Sequence, residues 1–165
     1  MSKPLIAISG SPGTGKSTLA KILVKKLGLE RLDLHHHYKQ ISTGYDRSKQ
    51  SYDIDYHKFE RLVKEKLKQT KKGLVIDSHI SHLLPKKLVH LCIVLTCSDL
   101  KTLEMRLKKR KYSKQKIREN LDAEIFQICL TEATEKKHKI LIFDTAKEKT
   151  AKIISAITAA LCNHN

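Results

Sequence analysis

The residues best placed to do chemistry begin at Gly10-Ser11-Pro12-Gly13-Thr14-Gly15-Lys16-Ser17, a full match to the G-x-x-x-x-G-K-[ST] phosphate-binding pattern. Glycines within it let the backbone take conformations closed to residues with a β-carbon, so successive N–H groups can turn inward around a phosphate. Lys16 adds a mobile positive charge for β- and γ-phosphates, and Ser17 offers a hydroxyl ligand to Mg²⁺. The apolar run Leu5-Ile6-Ala7-Ile8 before the motif reads as a buried strand. The stretch from Thr18 to Val24 after it reads as a helix whose positive dipole end faces the anion. This strand–loop–helix setting is the one the pattern needs, so a nucleoside triphosphate site is expected. A glycine-rich turn with a chance lysine is the weaker reading.

Further along, Leu74-Val75-Ile76 reads as a strand ending at Asp77. An acid at the carboxyl end of a buried strand stands where ligands bind in open α/β sheets, and it fits a second metal-coordinating position beside Ser17. Read alone, Asp77 would be a helix cap or a turn residue. Arg106 and Arg110 lie four apart on one face of a helix whose Leu100, Leu103 and Leu107 face inward. Such a face is usually just solvated, but in a phosphoryl-transfer enzyme mobile arginines neutralise charge on the transferred group, which makes these two the candidates. The triplet His35-His36-His37 is not read as a metal site, because adjacent residues of a helix or strand point in different directions.

The elements that must position these groups alternate. Leu19, Ile22, Leu23 and Leu27 recur at helical spacing until Gly28, and Leu32-Asp33-Leu34 suggests a short second strand. The polar stretch from His35 to Asp53 is too long for a simple connection and is expected to be a functional loop. Tyr56, Phe59, Leu62, Val63 and Leu67 mark a helix, and Leu88 to Leu95 a strand covered on both faces. Ile117, Leu121, Ile125 and Ile128 mark one further helix, Ile140 to Phe143 a last strand, and Ile153 to Leu161 a closing helix. The pattern predicts one P-loop domain over 1–165, with a doubly wound sheet of five parallel strands flanked by helices.

Composition narrows the class. The chain has 165 residues, 40% of them hydrophobic and 30% charged, which suits one soluble domain with a real core. No apolar run has the length of a membrane span, and the N-terminus lacks a signal-peptide pattern, so no membrane role is expected. The expected location is the cytoplasm, or the nucleus in a eukaryote. Cys92, Cys97, Cys129 and Cys162 form no C-x-x-C pair and read as small buried hydrophobes in a reducing compartment. With 33 Lys+Arg against 17 Asp+Glu the net charge is +16, which suits an anionic partner such as RNA or, equally, a lysine-rich solubilising surface.

A small α/β domain with an early phosphate loop and an arginine-bearing segment after the fourth strand resembles the nucleoside monophosphate kinases. Gly44-Tyr45-Asp46, Asp77-Ser78-His79, Leu103-x-x-Arg106-Leu107-x-x-Arg110 and Ala123-Glu124-Ile125-Phe126-Gln127 narrow this. Together with the phosphate loop they resemble the small adenylate kinases of the isoenzyme-six type, also called CINAP or Fap-seven, a group with archaeal and eukaryotic members linked to ribosome assembly. The resemblance implies that Gly13, Thr14, Gly15, Lys16, Ser17 and Thr18 hold the ATP phosphates, with Mg²⁺ near Ser17 and Asp77. It implies an AMP-binding segment over 33–54 and a short lid over 109–119, with Arg110 reaching ATP. Lys147 matches a position near the adenine ring, and His79 a histidine associated with ATP hydrolysis. On residue type alone, His79 would more often be structural.

This chain also departs from ordinary adenylate kinases. Asp77-Ser78-His79-Ile80-Ser81 stands where they carry an arginine that grips AMP phosphate, an absence the isoenzyme-six type shares. His37-Tyr38-Lys39 replaces a segment where an arginine is common, and lysine lacks its planar fork. Lys111 stands where glycine is common, which would stiffen the lid. The expected function is Mg²⁺-dependent transfer, ATP + AMP to two ADP, with ATPase activity and a role in small-subunit (18S/16S) rRNA maturation. AMP and ADP are then substrates, and a small-subunit platform protein and precursor rRNA are partners. The alternatives are an ATPase assembly factor with little AMP kinase activity, and a kinase for another small acceptor.

Overall fold

Short apolar runs become strands and the periodic stretches become helices. In the computed structural model, which describes residues 3–162, the chain opens with β1 (Leu5–Ser9), α1 (Lys16–Leu27) and β2 (Glu30–Asp33). Next come α2 (Tyr38–Ile41), the hairpin strands β3 (Ser42–Asp46) and β4 (Ser51–Ile54), and α3 (Tyr56–Gln69). Then follow β5 (Leu74–Asp77), β6 (Leu91–Thr96), α4 (Leu100–Lys109), α5 (Lys114–Ile125), α6 (Ile128–Glu135), β7 (Ile140–Asp144) and α7 (Thr150–Cys162).

Five strands form one parallel sheet in the order β2-β5-β1-β6-β7, the doubly wound sheet expected. The chain crosses over β1 between β5 and β6, so the crevice at the carboxyl ends of the strands lies at the phosphate loop. Because side chains alternate along a strand, Leu5 and Ala7 of β1 pack with Phe59, Val63 and Ala133 on one face, and Ile6 and Ile8 with Leu19, Leu23 and Ile157 on the other. A third, smaller cluster of Cys97, Leu103, Leu107 and Ile117 seats α4 and α5. No helix among the described residues is long and apolar enough to cross a membrane.

Several boundaries differ from the sequence reading. The second strand ends at Asp33, and Leu34 opens a 3-10 turn whose His35 N–H donates to Asp33 Oδ1. The strand expected from Leu88 begins at Leu91, because Lys86–Leu88 form a 3-10 turn after Pro85. The polar stretch after His35 is ordered as that turn, α2 and the β3–β4 hairpin. The single helix expected over Ile117 to Ile128 is broken at Gln127, whose φ of 52° is left-handed. Buried Glu124 accepts from the Cys97 N–H at 2.6 Å and ties the end of α5 to the end of β6. The chain turns there so that α6 can set Ala133 into the sheet-facing core. Cys92 and Cys97 are buried as expected, whereas Cys162 is exposed.

Candidate active site

The phosphate loop is shaped by close approach. Gly10 has φ 141°, and a β-carbon there would lie 2.3 Å from the Leu95 carbonyl oxygen on β6. Gly15, left-handed at φ 98°, precedes α1 without any side-chain cap, so the first N–H groups of the helix stay free to face an anion. Lys16 Nζ donates to the Gly10 and Ser11 carbonyls, each at 2.8 Å, and Thr14 Oγ1 donates to Ser11 O at 2.9 Å. Burial lowers the Lys16 pKa from 10.5 to about 8, and Arg110 adds to the lowering. A phosphate at this place would restore the ammonium by opposite charge.

Ser17 and Asp77 come together: Ser17 Oγ donates to Asp77 Oδ2 at 2.7 Å. The sequence reading missed their third member. Arg31, at the edge of the sheet on β2, donates through Nε to Asp77 Oδ1 at 2.8 Å and through Nη2 to Oδ2 at 2.9 Å. The parallel pairing of β2 with β5 sets Asp33 opposite Asp77, and Arg31 also reaches Asp33 at 3.1 Å. The donor set fits magnesium, a hard ion served by oxygen ligands. One hydroxyl beside one carboxylate leaves the rest of its shell to phosphate and water, the usual arrangement where this ion binds with a nucleotide. Among the described residues no group of three or more His, Cys, Asp or Glu is placed to hold a metal unaided. The three consecutive histidines splay apart: His35 packs edge-on to Tyr38, His36 lies 3.8 Å from Asp33, and His37 meets Gln40.

Two clefts adjoin the loop. One, of about 600 Å³, is lined by Gly13, Gly15, Thr18, Arg106, Arg110 and Thr145 among others. Arg106 Nη1 donates to Gly13 O at 2.9 Å, so one of the two expected arginines braces the loop backbone in addition to facing the cleft. Lys147 lies in the turn after β7 but does not line this cleft; its ammonium stands 3.6 Å from Asp144 and is largely exposed. The other cleft, of about 410 Å³, lies on the far side of Lys16 and is walled by the 33–54 segment, His79 and the 109–119 segment. Arg110 borders both clefts. Lys111 takes φ 58° in the α4–α5 connection, a left-handed conformation that favours glycine.

His79 opens onto the second cleft. Its Nδ1 lies 3.3 Å from the Tyr38 hydroxyl, which is also 2.9 Å from Ser78 Oγ. Although His79 is exposed to the open cleft, desolvation and then the Lys16 charge lower its pKa from 6.5, which favours the neutral imidazole. Behind the loop runs a polar chain no sequence pattern announced. His82 Nε2–H donates to Glu132 Oε2 at 2.7 Å, which leaves Nδ1 to accept from the buried Ser9 hydroxyl at 2.6 Å. His138 donates to His82 O at 2.7 Å and fixes the same turn. This chain bonds the root of the phosphate loop to α6. Arg31 and His82 lack a motif of their own; their only sequence signal is a charged or polar residue next to a buried strand.

Residues 6–127 match the family model described as an AAA domain. An adenylate kinase isoenzyme 6 homolog of Schizosaccharomyces pombe is 36% identical over 157 residues, covering 94% of this chain and 88% of that protein. The Caenorhabditis elegans protein of the same name is 31% identical over 153 residues, covering 92% and 84%. Shikimate kinase from Acinetobacter baumannii superposes with a TM-score of 0.62 at 15% identity, over 98% of this chain and 95% of that one, a likeness of fold alone. With the phosphate loop, Asp77 and the arginine-bearing α4 all at one crevice, and relatives aligned along nearly the whole chain, this protein belongs to the adenylate kinase isoenzyme 6 family.

Proposed function

We propose that the protein transfers the γ-phosphoryl group of ATP to AMP, forming two ADP, with magnesium. The observation that carries this reading is the pair of clefts that share Arg110, one lined by Lys16 and the other by its neighbours Gly15 and Thr18, so that a phosphoryl group would pass between them at the phosphate loop. Lys16, released from the Gly10 and Ser11 carbonyls, binds the β- and γ-phosphate oxygens. Arg110 borders both clefts and spreads charge that develops between donor and acceptor. Arg106 holds the loop backbone in place through Gly13. Ser17, oriented by Asp77, would hold magnesium, and the ion would supply positive charge against the phosphates there. No general base is needed, because catalysis of this kind is mostly positioning and electrostatics. Closure of the 109–119 segment on the second cleft would exclude water from the transfer.

ATP hydrolysis is the same chemistry with water in the acceptor cleft. Neutral His79, facing that cleft beside Tyr38, has the lone pair and position to orient a water there. A role in small-subunit rRNA maturation, with a platform protein and precursor rRNA as partners, is supported by the resemblance of the motifs and by the +16 charge. The test is ADP and free phosphate production from Mg·ATP by the purified chain, with and without AMP, against Lys16→Ala. An AMP-dependent rise with two ADP per AMP consumed, lost in Lys16→Ala, is expected. Slow ADP formation with matching phosphate and no AMP effect would replace the kinase reading with an ATPase one.

A further inference from the structure

The acceptor cleft contains a cation that neither the phosphate loop nor α4 supplies. Lys116, in the first turn of α5, sets its ammonium 4.5 Å from the centre of the Tyr112 ring and donates to the Gln50 carbonyl. The Gln50 side chain in turn accepts from the Ser113 N–H at 3.1 Å through Oε1. Two bonds therefore tie the α4–α5 connection to the β3–β4 turn, and both arms wall the same cleft.

Four cations line this cleft: Lys16, Lys49, Arg110 and Lys116. Lys16 is committed to the phosphate loop, and Arg110 is shared with the neighbouring cleft. Lys49 is 63% exposed and lies 3.7 Å from Asp46. Lys116 is half-buried, and among the described residues no carboxylate pairs with it; a carbonyl and a ring face are what it meets. Apart from Lys49 and His35, the basic groups that the 33–54 segment offers by sequence do not line this cleft: Lys39 is exposed and His37 borders a different surface hollow, beside Arg31 and Asp33. No arginine lies in residues 78–84 after β5.

Resting on the kinase reading above, we propose that Lys116 is the residue that binds the acceptor's phosphate, taking it from the lid side of the cleft. An ammonium gains a charge–charge attraction from a phosphate that the neutral Gln50 carbonyl does not offer. The acceptor phosphate therefore draws Lys116 from Gln50 O, and the bond between lid and hairpin is remade through the acceptor. Tyr45 and Tyr52, 4.9 Å apart on the hairpin, offer faces to the rest of the nucleoside. Acceptor binding and lid position are in this way set by one side chain.

The test compares AMP with adenosine, which lacks only the phosphate, by calorimetric binding to the full chain and to Lys116→Met, Lys116→Gln and Lys116→Arg. Loss of one hydrogen bond to a charged group predicts an AMP Kd weakened about ten- to a hundredfold in the Met and Gln variants. Adenosine should bind all four proteins alike, and Lys116→Arg should restore AMP binding to within about fivefold of the original, since it keeps the charge. Steady-state kinetics should show the KM for AMP rising with the Kd while the KM for ATP moves by less than about threefold. An unchanged AMP Kd, or equal losses for AMP and adenosine, overturns the proposal, and AMP-dependent turnover by the unmodified chain would then leave the kinase reading standing. Weakened AMP binding in a protein that does not phosphorylate AMP would support the Lys116 site and end the kinase reading. Failure of the unmodified chain to bind AMP would end both.

Discussion

Replacing Arg31 by methionine removes the guanidinium but keeps the length of the side chain, and it isolates a contact that no motif announces. Asp77 is 1% exposed, and Arg31, 18% exposed, meets it through two bonds of 2.8 and 2.9 Å. With the guanidinium gone, the carboxylate keeps the Ser17 hydroxyl but has no opposite charge within bonding distance. Breaking a buried pair by removing one partner costs about 3–5 kcal/mol, and the partial exposure of Arg31 places this case near the lower figure. Against a total stability of about 5–15 kcal/mol the variant still folds. Its urea midpoint should fall by about 1–2 M for an m-value of about 2 kcal/mol/M. Adding Asp77→Asn removes the stranded charge, so the double variant should regain part of the loss and show a coupling of at least about 1.5 kcal/mol. Equilibrium urea unfolding of the two single variants and the double variant measures all of this. An Arg31→Met loss below about 1 kcal/mol, or strict additivity, would show that the pair is not the buried, coupled unit described.

Two further outcomes follow from the loop itself. Lys16 binds phosphate as an ammonium, and burial lowers its pKa to about 8, so above that pH a growing share of free protein must take up a proton to bind Mg·ATP. The Kd for Mg·ATP should weaken as pH rises from about 8 toward 9.5, approaching tenfold per unit, and calorimetry in buffers of different ionisation enthalpy should show proton uptake; a flat affinity from about pH 7 to 9.5 contradicts it. Gly10→Ala would place a β-carbon 2.3 Å from Leu95 O, whereas Gly15→Ala meets nothing within 4 Å and suffers only from its φ of 98°. Thermal unfolding should show Gly10→Ala losing about 3 kcal/mol or more and Gly15→Ala about 1–2 kcal/mol, and the opposite order would refute the close approach of β6.

What the sequence carries by itself is whatever neighbouring residues encode together. The phosphate loop is one continuous segment, so its residue types and spacing declare the anion site directly. Leu5–Ile8, Leu74–Ile76 and Leu91–Leu95 are apolar on both faces, which announces strands covered on both sides and, with helices between them, the parallel sheet. Arg106 and Arg110 were legible because helical spacing puts them on one face. The hairpin β3–β4 was not, because it packs mainly at the surface and shows no apolar alternation; its burial pattern is exposed or intermediate throughout. The break at Gln127 was hidden for another reason. Its cause is Glu124 reaching across to Cys97, a contact between residues distant in the chain.

Only the folded structure could join Arg31 to Asp77, Ser9 to Glu132 through His82, and Lys116 to Gln50. Each joins residues on separate elements, brought together by strand register, by docking of α6 or by the approach of lid and hairpin. A polar residue's type tells which bonds it can make but not which partner the backbone will bring. The continuous site was therefore written in the chain, and the partners that orient its groups were decided by how the sheet and its connections close.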